Sequence, residues 1–179
     1  MSARQLLSLS RVLPKRPRLD SFDYLGNHRY FLTFCTLDRH RAFVTDGPVD
    51  LVRAQIRTAS CESDFVITAY VFMPDHLHLL VKGISDSADL RGFASLAKQR
   101  SGFTYSRESG RRLWQPSYYD HVLRPEEPSL FFVYYMFQNP VREGMVKHWA
   151  DYPYLGSEAM SVDELSAALK EAGADAWAE

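Results

Sequence analysis

The chain has 179 residues, of which 46% are hydrophobic and 13% aromatic, a single-domain length with enough apolar side chain for a core and some left for tails. Its formal charge of −1 hides an asymmetry: residues 157–179 hold six acids against one base, Lys170, and carry −5, which leaves +4 on residues 1–156. No apolar run approaches the ~20 residues of a membrane span, and LLSLSRVLP is interrupted by Arg11 and Pro14 before it can serve as a signal-peptide core. Cys35 and Cys61 stand at neither zinc-site nor disulfide spacing, so a cytoplasmic chain with reduced thiols is expected.

Residues 1–20 read as a basic arm, with Pro14 and Pro17 set among Arg4, Arg11, Lys15, Arg16 and Arg18. A mildly basic body with such an arm suits a polyanionic partner. RYFLTFCT (29–36), rich in aromatic and β-branched residues, predicts a strand. DLVRAQIRTASCE (50–62) places Leu51, Val52, Ile56 and Ala59 on one helical face. FVITAYVFM (65–73) and HLHLLVKG (76–83) are two further strands, separated by a break at Pro74-Asp75. ADLRGFASLAKQRSGFTYSRE (88–108) reads as a helix with Leu90, Phe93, Leu96 and Ala97 inward and Gly102 near its end or weakening it. LWQPSYYDHVLR (113–124) is extended. PSLFFVYYMFQN (128–139) is apolar all round, as a buried helix is, with Ser129 as its expected N-cap and Pro140 ending or kinking it. DELSAALKEAG (163–173) is a short amphipathic helix stopped by Gly173, in an acidic tail (157–179) open to three readings, a lid over a DNA groove, a partner segment or an inert solvated end, of which the last is favoured. The order β-α-β-β-α-β-α, with hairpin spacing at 65–83, predicts an α+β fold: a ferredoxin-like antiparallel sheet with helices packed on one face. The domain spans 21–156, with the arm before it and the tail after it.

MPDHLHLLV (73–81) sets His76 and His78 on one face of a strand, because side chains alternate. Such a pair suits a metal, an acid/base couple or a hydrogen-bonded core, since two protonated neighbours repel unless something holds them neutral. A closed zinc site needs four nitrogen or sulfur ligands, and neither a cysteine nor a third histidine stands near enough in sequence. His121, beside Asp120, is the one distant histidine in a suggestive context. Two histidines completed by an oxygen donor suit Mg²⁺ or Mn²⁺, with positions left for phosphate oxygens.

YYMFQNPVREG (134–144) offers that donor. Four residues apart on a helix, Tyr135 and Asn139 share a face. A carboxamide oxygen there can ligate a hard cation, and a phenol can attack a phosphorus atom. With an ordinary pKa near ~10, the phenol needs a cation or a base close by to act near neutrality. The plainer alternative is a buried aromatic helix ending at Asn139-Pro140. Arg111 and Arg112 before Trp114 suit phosphate contact beside base stacking, or else a basic turn before a buried indole. Arg16 and Arg18 are further candidate contacts.

Together MPDHLHLLV, WQPSYYDHVLR (114–124), YxxxNPVREG and RYFLTFCTLDR resemble the single-tyrosine HUH transposases, and among them the REP-associated tyrosine transposase branch. The resemblance covers roughly 22–156. His76-Leu77-His78 matches the His-hydrophobic-His motif, and Tyr135, Asn139, Pro140, Val141, Arg142 and Gly144 match the tyrosine motif in register. Met136-Phe137 departs from the common Ile-His, and Tyr118-Tyr119 from the common aromatic-His, which removes two accessory histidines. The resemblance implies a metal-dependent enzyme that cleaves single-stranded DNA and transfers the strand through a 5′-phosphotyrosine. It implies Mg²⁺ or Mn²⁺ held by His76, His78 and Asn139, with Tyr135 as nucleophile. It further implies hairpin-forming repeats as DNA, a monomer or homodimer, and a place in the bacterial cytoplasm at the nucleoid. Two competing readings are a metal nuclease that uses water and a non-catalytic single-stranded nucleic-acid binder.

Overall fold

RYFLTFC is apolar on both of its faces, which suits a strand covered on both sides rather than an edge. A computed structural model describes residues 22–174 and 177; in it Arg29–Cys35 is β1, with Tyr30, Leu32 and Phe34 in one core and Phe31 in a second. Phe65–Met73 (β2) and His76–Gly83 (β3) form a hairpin about Pro74-Asp75. Tyr119–Leu123 (β4) and the two-residue Leu155–Gly156 (β5) complete a five-stranded antiparallel sheet in the order β4-β1-β3-β2-β5. β5 has too few residues to show a pattern, and only its pairing with Tyr70 and Val71 defines it. A register shift between Ile67 and Ala69 resets the alternation of β2. Phe65 and Ile67 therefore share the first core with Tyr70 and Phe72, while Ala69, Val71 and Met73 line the second.

Two long helices cover the first face: Asp46–Glu62 (α1) and Leu90–Ser109 (α2). α1 supplies Val49, Val52, Ile56 and Ala59, and α2 supplies Leu90, Phe93, Ala94 and Ala97, with Phe93 stacked on Phe65 at 5.0 Å. The Asp89 carboxylate caps α2 by accepting from Arg91 N, and Gly110 closes it in the left-handed conformation at φ 70°. Gly102 lies inside α2 rather than near its end, with the Trp114 ring beside it: a Cβ there would stand 3.4 Å from the ring, an ordinary contact.

On the second face sit Ser129–Phe137 (α3), the single turn Asn139–Arg142 (α4) and Val162–Glu171 (α5). Pro140 begins the turn that breaks the long apolar helix, as its missing N–H requires. Pro128, not Ser129, holds the N-cap position of α3. The Ser129 hydroxyl instead accepts from Arg29 Nη1 at 3.0 Å, while Arg29 Nη2 donates to Arg124 O at 2.8 Å. The α+β antiparallel architecture is as expected. Helices on one face describes α1 and α2; α3 and α5 add cover on the other.

The carboxy-terminal segment corrects the expectation of an inert solvated end. α5 opens with a capping box between Ser161 and Glu164, its acids point outward, and Leu165 and Leu169 are buried in the second core. Trp177 lies against Phe131 and Tyr134 at 5.7 and 5.9 Å. Counting charges hid an apolar stripe two leucines wide. Leu165→Ala should therefore cost about 2–4 kcal/mol of stability in urea denaturation, whereas a loss near zero would mean that α5 is detachable.

Candidate active site

The hairpin that makes β3 presents His76 and His78 on the second face. His78 is paired in register with Thr33 of β1 and Val71 of β2. Its Nδ1 is 2.9 Å from Thr33 Oγ1, and its Nε2 is 3.1 Å from His76 Nε2. His76 Nδ1 is 2.6 Å from Asp75 Oδ1, and Asp75 Oδ2 pairs with Arg39 Nε at 2.8 Å. An ionised carboxylate can only accept, so the proton between Asp75 and His76 resides on Nδ1 and the Nε2 of a neutral His76 carries a lone pair. Arg39 reaches Asp75 from a tight turn in which Asp38 and Arg39 both adopt positive φ, 53° and 55°, a conformation costly for these residues and one that gathers at functional sites.

Thr33 Oγ1 can donate to His78 Nδ1, and His78 Nε2–H then donates to the His76 Nε2 lone pair; if Thr33 accepts instead, both Nε2 lone pairs face the 3.1 Å gap. Ligation of a cation by both rings uses the second tautomer, which the Thr33 hydroxyl accommodates by rotating. Two nitrogens each about 2.1 Å from one ion and at right angles to one another stand about 3.0 Å apart, so the pair fits two adjacent ligands of a divalent cation. Among the described residues, no three or more His, Cys, Asp or Glu side chains cluster as a metal site, so further ligands would be amide, water or substrate oxygens. Burial, reinforced by the charges of His76, Arg142 and Arg39, pushes the His78 pKa well below its ordinary value. Burial alone would raise Asp75, but the hydrogen bond and charge of His76, together with Arg39, hold it below the usual carboxylate range.

The tyrosine helix meets this pair through one ring. Phe31 stacks on His78 at 5.3 Å, Tyr135 packs edge-on against Phe31 at 6.2 Å, and the Arg142 guanidinium lies 4.6 Å from the Tyr135 ring centre. Tyr134 turns instead to Trp177, so only one of the two adjacent tyrosines faces the histidines. Burial raises the Tyr135 phenol above its ordinary pKa; Arg142 opposes the rise and Tyr119 adds to it. Asn139 Nδ2 donates to the Tyr135 and Met136 carbonyls at 3.2 and 3.0 Å, and Asn139 Oδ1 accepts from Arg142 Nη2 at 2.9 Å.

Four of the expected site residues, His76, His78, Tyr135 and Asn139, thus face the second core from β3 and the α3–α4 segment. Arg111 and Arg112 are exposed just past Gly110. Leu37 N donates to Leu113 O and Gln115 N to Cys35 O, and Cys35 pairs with His76, so both arginines belong to the His76 end of the sheet. Arg16 and Arg18 lie outside the described residues. Trp114 is a correction: it is buried, donates its indole N–H to Ser101 Oγ at 2.9 Å and packs against Phe34 and Phe43, leaving no face for a base. His121 is held by Glu127 at 3.2 Å and stacks on Phe132, apart from the histidine pair. Sequence reading missed Asp75, Arg39, Thr33 and Phe31, and had Arg142 only as a motif match with no role at the site. Two of them left a signal: Asp75 immediately precedes His76, and Thr33 is the one aliphatic hydroxyl amid RYFLTFC.

Residues 24–125 match the model of a family described as IS200-like transposases. A REP-associated tyrosine transposase of Haemophilus influenzae is 27% identical over 145 residues, covering 74% of this chain and 81% of that protein. One of Escherichia coli K12 is 27% identical over 134 residues, covering 73% and 77%. A solved REP-associated tyrosine transposase bound to a REP hairpin superposes with a TM-score of 0.64 at 23% identity, covering 76% of this chain and 81% of that one, which shows a shared fold.

A histidine held neutral by the fold has a pH signature in the metal-free protein. The unfolded chain binds a proton at His78 near pH ~6.5, while the native site resists it, so native stability falls as the pH drops below about 6.5. In chelator, His78→Asn should flatten the stability loss between about pH 7 and pH 5.5, read from thermal melts; an unchanged slope would show that His78 takes up its proton in the folded state.

Proposed function

We propose that this chain, which belongs to the IS200-like transposase family, cleaves single-stranded DNA through a covalent bond to Tyr135 and passes the held strand to a free 3′-hydroxyl. The observation that carries the reading is the pair of Nε2 atoms 3.1 Å apart, one ring away from the phenol of Tyr135. His76 and His78 supply two nitrogen ligands for Mg²⁺ or Mn²⁺, and Asn139 supplies a third, through oxygen. When bound, the cation withdraws charge from a non-bridging phosphate oxygen.

The remaining work falls to the chain's own groups. Asp75, braced by Arg39, keeps the His76 proton on Nδ1 and its lone pair on Nε2, and Thr33 Oγ1, by accepting from His78 Nδ1–H, would leave the His78 lone pair on Nε2 as well. Tyr135 Oη forms a bond to phosphorus while the bond from phosphorus to O3′ breaks. The phenol proton is given up to solvent, and the departing O3′ takes one up. One phosphodiester replaces another, so the energy stays in the 5′-phosphotyrosine, and a second strand's 3′-hydroxyl reverses the step. Arg142 over the ring favours the phenolate that burial disfavours. Arg111 and Arg112 contribute phosphate contacts. Similar proteins are named for REP sequences, and a protein of the same fold is bound to a REP hairpin; the proposed substrate is accordingly a hairpin-forming palindromic repeat with a single-stranded flank.

Single-stranded oligonucleotides covering such repeats, incubated with protein and Mn²⁺ and run on a denaturing gel, should give a protein–DNA band. The band should vanish with chelator and in Tyr135→Phe, while DNA binding by that variant stays within about threefold of wild type. Cleavage without a covalent band would assign the chemistry to water, and a band that survives in Tyr135→Phe would move the nucleophile. Asp75→Asn should weaken Mn²⁺ binding by roughly 10- to 100-fold in calorimetry, the usual penalty for losing a carboxylate behind a ligating histidine; an unchanged affinity would leave Asp75 no part in the site.

A further inference from the structure

Asn139 has an amide whose orientation the structure fixes chemically. The carbonyls of Tyr135 and Met136 can only accept, so the group facing them is the NH₂, and the amide oxygen must face Arg142. The same Nη2 also donates to the Tyr135 carbonyl at 3.0 Å. The guanidinium is partly buried, with burial working against its charge, and it lies across the Tyr135 ring. The oxygen expected to ligate a cation is therefore already bound to a fixed positive charge.

We propose that Arg142 is a latch on the third ligand: it holds the Asn139 oxygen while no cation is bound and competes with the cation for it. This rests on the metal reading above. A carbonyl oxygen has two lone pairs, but one that serves a guanidinium is a poorer donor to a second cation, and the two positive charges repel. The latch makes the histidine pair and Asn139 a weak site for free metal. Full occupancy then waits for the oxygens that a bound phosphodiester adds, which ties cation capture to the arrival of DNA.

The competition is readable without any DNA cleavage. Isothermal titration of Mn²⁺ into the intact protein should show Arg142→Met binding roughly fivefold to tenfold more tightly than wild type, the net scale of one ordinary intramolecular hydrogen bond. Arg142→Lys, which keeps the charge but loses the fork, should fall between the two and guards against a folding defect in the methionine variant. In an Asn139→Ala background, Arg142→Met should change the affinity by less than twofold, because the oxygen under competition is gone. Weaker binding by Arg142→Met would make the arginine a support of Asn139 rather than its competitor and overturn the latch. Equal tightening with and without Asn139 would also overturn it, reducing the effect to bulk charge. If wild type and His76→Ala bind Mn²⁺ equally, or if Arg142→Met binds no more than a wild type that does not bind, the metal reading falls and the latch falls with it; His76-dependent binding that Arg142→Met leaves unchanged removes the latch alone.

Discussion

Two imidazole nitrogens held 3.1 Å apart are the constraint around which the rest of this fold is arranged. Left to themselves, the two rings could rotate apart. Each is instead held by its other nitrogen, one by Thr33 and one by Asp75. Thr33 stands opposite His78 only because β1 pairs with β3 in this register; a slip of one residue would turn Thr33 to the first core and put an apolar side chain against the ring. Asp75 is presented by the hairpin turn, and backbone contacts hold that turn to the rest of the chain: Thr36 N donates to Asp75 O and Phe43 N to Pro74 O. The pairing of three strands and the placement of one turn are thus prerequisites for the 3.1 Å contact.

Burial gives that contact its chemical character. A histidine on an exposed strand would titrate with the solvent; His78, beneath Phe31 and among the charges of His76, Arg142 and Arg39, is driven neutral, the only form that ligates a metal. The second core provides the cover, and much of it comes from segments far downstream: α3, β5 and α5. This explains a helix that is apolar on all sides. One side of α3 meets the sheet, and another meets Leu165, Leu169 and Trp177.

The hairpin strands were legible because two apolar runs rich in β-branched and aromatic residues flank a break at Pro74-Asp75, and both ranges match; the two-histidine face followed from side-chain alternation along β3. The tyrosine helix was legible as a buried helix with a proline stop. The partners of the site were not. Arg39 reaches Asp75 from 36 residues upstream, through a turn with two residues at positive φ, and no spacing rule anticipates that. Trp114 misled because a tryptophan after two arginines looks the same whether it faces solvent or Ser101. The tail misled because a segment with five net negative charges can still bury two leucines on its inner side.

The two halves of the site differ in how firmly they are tied together. Both histidines belong to one strand, so their separation is set by backbone geometry. Tyr135 and Asn139 belong to one helical segment, cross-bonded through Asn139 Nδ2 to the Tyr135 carbonyl and through Arg142 to both, and they move as one piece. Between the halves run ring contacts, His78 stacked on Phe31 and Phe31 edge-on to Tyr135, inside the wider second core that packs α3 on the sheet. The position of Tyr135 and Asn139 relative to the histidines depends on that packing and on what grips α3 from outside it. Arg29 grips its start through Ser129 and the Arg124 carbonyl, and α5 with Trp177 grips its flank. Residues remote from the histidine pair thus help to set its distance from Tyr135.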